Sequence, residues 1–83
     1  MNYKREEKVK LVFTNWKSDK VYNLFLQSND DKDWIVIASY GKYGNINRKV
    51  IKTSSDSVSY YEAKEIYDKN LKQKIKKGYS IEN

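Results

Sequence analysis

The sequence predicts an α+β fold, in which an antiparallel sheet of about four strands carries one C-terminal helix packed across it. Between positions 9 and 53, four runs rich in apolar, β-branched and aromatic residues alternate with short polar segments. Connections this short favour antiparallel neighbours. From position 59 onward the apolar residues recur at helical spacing, and the sheet offers the only apolar face that can cover them.

The beginning of the chain divides into an arm and a first strand. A length of 83 residues corresponds to one domain. Residues 1–8 are polar and charged, so we expect a flexible basic arm there and a folded domain over residues 9–83. The initiating methionine and the arm favour a complete small protein. The first predicted strand covers Val9–Thr14, in which every second residue is apolar.

Three further strands follow, separated by turn residues. They are predicted at Lys20–Ser28, Trp34–Tyr40 and Ile46–Thr53. The loop that precedes the last of them contains Gly41 and Gly44, two of the three glycines in the chain. Glycine permits a positive φ and a close approach of the backbone to a partner, so this loop is predicted to be a constrained turn.

The helix is predicted to begin after Ser59 and to end at Gly78. Ser59 and Glu62 have the spacing of a capping box, and a glycine after the last turn is typical of a C-terminal cap. An apolar stripe at four-residue intervals should face the sheet, and it consists of Ala63, Tyr67, Leu71 and Ile75. The lysines between positions 64 and 77 are interpreted as a solvated face of the helix.

The composition argues against an enzyme. The chain contains neither Cys nor His, so it lacks a thiolate nucleophile, the commonest general base and the commonest metal ligand. Asp30, Asp31 and Asp33 share one loop, but they lack the spacing and the closing glutamate of an EF-hand, and we expect a solvated hairpin. We therefore expect no catalysis, no metal and no cofactor.

The net charge of +6, from 17 basic and 11 acidic residues, favours attraction to polyanions. The same charge is also compatible with ordinary solvated surfaces that happen to be basic. The arrangement of the cations has to decide between this alternative and the binding of a polyanion. No apolar run approaches the roughly 20 residues of a membrane span, and no segment has the pattern of a signal peptide. We expect a cytoplasmic protein without membrane contact.

Several short motifs follow one another along the chain in a recognisable order. Lys20-Val21-Tyr22 opens the second strand, Tyr40-Gly41-Lys42 ends the third, and a second glycine follows at Gly44. The helical part adds Ser59, Ala63, Tyr67, Lys74 and the closing pair Gly78-Tyr79. Over about residues 11–79 this order resembles the WGR domain family, which is named for a Trp-Gly-Arg motif. Here Tyr40 stands for the tryptophan and Lys42 for the arginine.

The resemblance implies a function as well as a fold. WGR domains occur in poly(ADP-ribose) polymerases, where they bind DNA at breaks, and as small bacterial proteins. In the polymerases the tryptophan packs on a sugar at the strand end, and the arginine contacts nucleic acid and neighbouring domains. By this resemblance the chain would be a nucleic-acid-binding domain, and we expect it to be a non-catalytic monomer. It would bind DNA ends or nicks, with DNA favoured over RNA, through phosphate contacts and aromatic stacking.

The candidate binding residues around the glycine loop are Tyr40, Gly41, Lys42 and Tyr43. Tyr40 could stack on a terminal sugar or base, or it could belong to the core, since it shares a strand face with Trp34. Lys42 could contact a phosphate as a point charge, or it could be an ordinary turn lysine. Tyr43, at the tip of the loop, could stack or cover the turn.

Further candidates are Lys20, Arg48 and Lys52. Lys20 could reach a phosphate, while Arg48 and Lys52 share one face of the fourth strand and could extend a basic stripe. Alternatively, these charges protect a strand edge against aggregation. Trp16, in a short polar loop, is either an exposed binding residue or a lid on the core.

The alternative function is a protein-interaction module that docks a partner domain through the sheet edge and exposed aromatic residues. The deciding observation is whether Tyr40, Lys42 and Lys20 converge on one exposed positive surface. If they do, nucleic-acid binding is favoured. If Tyr40 is sealed in the interior and the lysines point apart, it is not.

Overall fold

In a computed structural model, the structure describes residues 5–14, 19–28, 32–42, 44–53 and 58–82. The elements in chain order are β1 (Arg5–Thr14), β2 (Asp19–Ser28), β3 (Trp34–Lys42), β4 (Asn45–Ile51), α1 (Tyr60–Lys76) and β5 (Ser80–Ile81). The strands form one antiparallel sheet in the order β4-β3-β2-β1-β5. The predicted α+β class, with an antiparallel sheet and one C-terminal helix across it, is confirmed.

The core lies between one face of the sheet and α1. Every second residue of the central strands points into it, as the alternating pattern predicts, and the fully covered side chains include Leu11, Leu24, Leu26, Val36 and Ala38. The helix contributes Ala63 and Tyr67. The Ser59 half of the predicted capping box is present, because the Ser59 hydroxyl accepts a hydrogen bond from the Glu62 backbone N–H at 3.2 Å.

Strand β1 begins at Arg5 and not at Val9, so the predicted flexible arm is strand from Arg5 onward. Its backbone pairs with β2 over the whole length from Arg5 opposite Ser28 to Thr14 opposite Asp19. The polar side chains did not indicate a strand because their partners lie far along the chain. The Glu7 carboxylate accepts hydrogen bonds from the Tyr60 hydroxyl at 2.9 Å and the Lys64 ammonium at 2.7 Å, both on α1.

The chain reverses after α1 and returns to the sheet. Gly78 has a φ of +111°, and the Tyr79 N–H donates to the Lys74 carbonyl at 3.0 Å, which closes the helix as predicted. The next two residues form β5, which pairs with β1 at the edge of the sheet. The sequence did not predict this strand, because two residues carry no alternating pattern.

The predicted apolar stripe of α1 turns away from the sheet at its end. Ile75 is 45% exposed, whereas Lys74 is partly buried. A step of four residues exceeds the 3.6 residues of a helical turn, so a stripe with that spacing drifts around the helix. Positions seven apart drift by only about 20°. Tyr60, Tyr67 and Lys74 therefore all lie on the side of α1 that faces the sheet, and Lys74 is the last residue of this row.

Candidate nucleic-acid interface

The register of β2 against β3 brings the predicted residues together. Lys20 lies opposite Lys42, and Tyr22 lies opposite Tyr40. Directly opposed residues of an antiparallel pair share a face of the sheet, so all four lie on the side that carries the helix. Two opposed lysines repel each other, and a bound anion between them would relieve this repulsion.

A β-bulge in β4 adds two more polar side chains to this face. Tyr40 is opposite Arg48 and Gly41 is opposite Ile46, so β4 has one extra residue at this point. Positions 45 and 48 would lie on opposite faces of a regular strand. With the bulge, Asn45 pairs with Lys42 while Arg48 pairs with Tyr40, and both lie on the helix side.

Three rings, Tyr22, Tyr40 and Tyr79, form a tyrosine cluster beside the end of α1. Tyr40 is stacked on Tyr22 with ring centroids 5.7 Å apart and an interplanar angle of 22°. Tyr79 meets Tyr22 edge-on at 6.3 Å. Tyr22 is only 3% exposed, but Tyr40 and Tyr79 are half-buried. The ring of Tyr40 therefore packs against the core, as one of its two interpretations expects, and part of the ring remains accessible.

Lys74 lies over this cluster. Its Nζ is 4.4 Å from the centroid of the Tyr22 ring and 5.5 Å from that of Tyr79, which are cation–π distances. Burial lowers the pKa of Lys74, and the positive charges of Lys77, Lys52 and Lys20 lower it further. A cluster of lysines thus lies around the tyrosines.

The prediction that the helix lysines are a solvated face is wrong at two positions. Lys74 packs on the tyrosine cluster, and Lys64 forms ion pairs with Glu7 at 2.7 Å and with Asp68 at 3.7 Å. Both side chains are partly buried, whereas Lys69, Lys72, Lys76 and Lys77 are exposed as predicted. The two exceptions lie on the side of α1 that faces the sheet.

These side chains surround an open cavity of about 620 Å³, here called the larger cavity. The described residues that line it are Lys20, Val21, Tyr40, Gly41, Lys42, Asn45, Arg48, Lys74 and Tyr79. Five of the seven predicted binding residues are in this set, namely Lys20, Tyr40, Gly41, Lys42 and Arg48. Lys52 lies nearby, in the wall of a second cavity, and Tyr43 lies outside the described residues.

The family model of the WGR domain matches residues 7–83. This chain belongs to the WGR domain family. Searches of curated protein sequences and of solved structures returned no significant match. In this WGR domain the segment Tyr40-Gly41-Lys42, which resembles the motif that names the family, contributes all three of its residues to the larger cavity.

The lining of the larger cavity in this WGR domain is basic. Among the described residues it includes four cations, Lys20, Lys42, Arg48 and Lys74, and no carboxylate. In the part of the chain that the structure describes, acidic side chains form ion pairs elsewhere, at Lys10–Glu82 and at Lys64 with Glu7 and Asp68. Cations around an accessible ring, with no carboxylate among the described residues of the lining, suit an anionic ligand that has a flat group.

Four of the lining residues were not predicted from the sequence as binding residues: Val21, Asn45, Lys74 and Tyr79. Lys74 and Tyr79 both line the larger cavity. The signal that would have found Lys74 is its seven-residue spacing from Tyr67, which places it on the sheet side of α1. Tyr79 follows Gly78, and its position depends on the sharp reversal at that glycine.

Other features of this WGR domain do not add to the site. Over the described ranges, no group of three or more His, Cys, Asp or Glu residues could hold a metal ion. Within the same ranges, no helix is long and apolar enough to cross a membrane. Trp16, Asp30 and Asp31 lie outside the described residues.

Proposed function

We propose that this WGR domain is a non-catalytic nucleic-acid-binding domain that binds DNA at ends or nicks. The observation that carries the proposal is the convergence of Lys20, Lys42, Arg48 and Lys74 around the half-buried ring of Tyr40. Phosphates would bind to the cations, and a terminal sugar or base would stack on the ring. DNA is the proposed ligand in preference to RNA.

The charges fit phosphate groups. Lysine binds a phosphate as a point charge, whereas the guanidinium of Arg48 can donate two parallel hydrogen bonds. Each phosphate that the domain neutralises releases counterions, so the logarithm of the affinity falls with the logarithm of the salt concentration by about 0.9 per contact. Four cations therefore predict a slope of about −3 to −4.

The accessible part of Tyr40 favours strand ends. Its ring is stacked on Tyr22, so the ring can accept one further flat group on its accessible side. Inside a duplex each base is covered on both faces by its neighbours, and exposing it costs unstacking energy. At an end or a nick a terminal nucleotide is more readily exposed, and stacking on Tyr40 then needs less disruption of the duplex.

The test compares three forms of one DNA sequence by fluorescence anisotropy: a covalently closed dumbbell, the same dumbbell with one nick, and a linear duplex. We expect the nicked and linear forms to bind more tightly than the closed form. Equal affinity for the three forms would contradict end recognition. Absence of binding to any form at low salt would contradict the whole proposal.

A second candidate function is the docking of a protein partner along β4. This strand lies at the edge of the sheet, and three of its apolar side chains are exposed: Ile46 by 43%, Val50 by 36% and Ile51 by 58%. The double change Lys20→Glu and Lys42→Glu separates the two functions. It should abolish binding to DNA but leave an apolar contact at β4 intact.

A further inference from the structure

A second cavity, of about 330 Å³, adjoins the larger one. We call it the smaller cavity. The two cavities share Tyr40, Lys74 and Tyr79, and the smaller one is completed by Tyr22, Lys52, Asn70, Gln73 and Lys77. A ligand that stacks on Tyr40 from the larger cavity therefore lies directly beside this second space.

The Tyr22 hydroxyl marks the smaller cavity as a place for a polar group. Tyr22 is 3% exposed, and its hydroxyl is buried without a hydrogen-bond partner among the residues that the structure describes. Buried hydroxyl groups in folded proteins almost always have a partner. Burial raises the pKa of Tyr22, and the neighbouring Tyr40 and Tyr79 raise it further, so the hydroxyl keeps its proton and can both donate and accept.

The amide side chains in the wall indicate what kind of group fits. The Asn70 Nδ2 donates to the Ile66 carbonyl at 2.8 Å, which leaves the Asn70 side-chain oxygen as an acceptor. Gln73 adds a second amide, with both donors and an acceptor. A phosphate accepts hydrogen bonds only, so an acceptor in the wall does nothing for it. A nucleobase carries donors and acceptors along its edges.

Size and charge complete the match to one nucleotide. A volume of 330 Å³ is at the low end of small-molecule pockets, which span about 300–1,000 Å³, and suits one nucleotide better than a stretch of strand. The rings of Tyr40 and Tyr79 border the space and provide surfaces for stacking. Lys52 and Lys77 provide positive charge for the phosphate of the same nucleotide.

We propose that the smaller cavity receives the unpaired base of a terminal nucleotide. The domain would then prefer DNA ends that carry a one-nucleotide overhang over blunt ends. This inference rests on the proposed function, because the phosphates of the duplex must be held in the larger cavity for the overhang to reach the smaller one.

The experiment uses the full chain and three duplexes of one sequence: blunt, with a single 5′ overhanging nucleotide, and with a single 3′ overhanging nucleotide. The overhang is 2-aminopurine, whose fluorescence falls when the base stacks. We expect at least one overhang to bind about five- to a hundredfold more tightly than the blunt end, as one added stacked base should give. The fluorescence of the 2-aminopurine should fall on binding.

Two variants test the cavity itself. Tyr22→Phe removes the buried hydroxyl and keeps the ring, and Gln73→Ala removes an exposed amide from a helix that tolerates alanine. Both should lower the ratio of overhang to blunt affinity. The control is Ile75→Ala, which changes no charge. Ile75 is exposed on α1 and lines neither cavity, so this variant should keep the affinity ratio of the wild type.

The outcomes distinguish a failure of the base-binding cavity from a failure of the proposed function. Equal affinity for blunt and overhanging ends, or a preference that survives both Tyr22→Phe and Gln73→Ala, overturns the base-binding cavity and leaves end binding in place. A wild-type protein that binds none of the duplexes overturns the proposed function, and the base-binding cavity with it.

Discussion

Tyr40 combines a structural role and a proposed binding role in one side chain. Its ring is stacked on Tyr22 at 5.7 Å, and it also lines both cavities. We expect Tyr40→Ala to weaken binding to nicked DNA by about 1–3 kcal/mol, because one stacking contact is lost. Tyr61→Ala is the matched control, since Tyr61 is 84% exposed and lines neither cavity. Equal affinities for these two variants in anisotropy titrations would remove Tyr40 from the interface.

Lys74 illustrates a conflict between binding and stability at a single residue. Its pKa is lowered from 10.5 by burial first and by Lys77, Lys52 and Lys20 next, so the folded state disfavours its charged form. The unfolded chain then binds more protons between the lowered pKa and 10.5, and stability rises as pH rises through that window. Below the window the full penalty is present.

The change Lys74→Met tests this conflict because it removes the charge and keeps an apolar stem. We expect the variant to unfold at a higher urea concentration than the wild type at pH 7, and the difference to shrink as pH rises from the lowered pKa of Lys74 to 10.5. Its affinity for DNA should fall, with a salt slope reduced by about 1. A variant less stable than the wild type at pH 7 would show that the contacts of the ammonium with the Tyr22 and Tyr79 rings outweigh the penalty.

At the residue scale, the sequence predicted the parts of the site that belong to short motifs. Lys20, Tyr40 and Lys42 were found because each stands at the end of a strand beside a recognisable pattern. Their mutual placement was not predictable, since it depends on the register that sets Lys20 opposite Lys42 and on the bulge that turns Arg48 toward Tyr40. Lys74 was missed because a lysine in a helix is usually solvated.

At the scale of elements, the first half of β1 is attached to α1 by polar contacts. Glu7 accepts from Lys64 at 2.7 Å, and this hydrogen bond is the main reason that the pKa of Glu7 lies below 4.5. A carboxylate with a lowered pKa stabilises the fold above about pH 4.5, and this contribution is lost as pH falls through the lowered value.

Glu7→Gln should therefore lower the free energy of unfolding by about 0.5–1 kcal/mol at pH 7, which is the range of a partly exposed ion pair. The difference from the wild type should disappear below the lowered pKa of Glu7, where the carboxyl group is neutral in both states. Urea denaturation at a series of pH values from 7 downward measures this. Glu65→Gln, at an exposed position of α1, is the control and should change little. A Glu7→Gln effect that does not shrink as pH falls through the acid range would contradict the ionic explanation.

The turn after α1 connects the helix to β5 and positions Tyr79. Gly78 has a φ of +111°, and a Cβ there would lie 3.0 Å from Cε2 of Phe13. Gly44 also has a positive φ, of +83°, but a Cβ there meets nothing within 4 Å. Replacing either glycine would therefore strain the backbone, but only at Gly78 would the new Cβ also lie close to another side chain.

We expect Gly78→Ala to destabilise the fold by more than Gly44→Ala, for which backbone strain alone costs about 1–2 kcal/mol. Because Gly78→Ala also displaces the turn that carries Tyr79, it should weaken DNA binding as well. Thermal denaturation and anisotropy titrations measure the two effects. Equal destabilisation by both substitutions would show that the Phe13 ring moves aside at no cost.

For the whole molecule, the arrangement of one sheet and one helix was predictable from the sequence, whereas the start of β1 and the short strand β5 were not. The alternating strands and the capped helix depend on local patterns that the sequence displays. The start of β1 at Arg5 and the two residues of β5 depend on pairing with residues distant in the chain, so no local pattern marked them. The cavities also depend on segments that are distant in the chain, because they lie at the junction of β2, β3, β4 and the end of α1.

The net charge of the molecule and the local arrangement of its cations make different predictions for binding. If the charge of +6 alone attracted DNA, any lysine changed to glutamate would weaken binding equally, because each such change lowers the net charge by two. If the larger cavity holds the phosphates, position matters. Lys42 lines that cavity, whereas Lys72 is exposed on the helix and lines neither cavity.

Lys42→Glu and Lys72→Glu therefore form a matched pair. We expect Lys42→Glu to weaken binding to nicked DNA at least tenfold more than Lys72→Glu, which is a difference of about 1.4 kcal/mol. The salt slope of Lys42→Glu should be smaller than that of the wild type by about 1 or more, since a phosphate contact becomes a repulsion, whereas Lys72→Glu should keep the slope of the wild type. Equal losses in the two variants would mean that DNA responds to the overall charge and that the convergence of cations around Tyr40 is not a binding site.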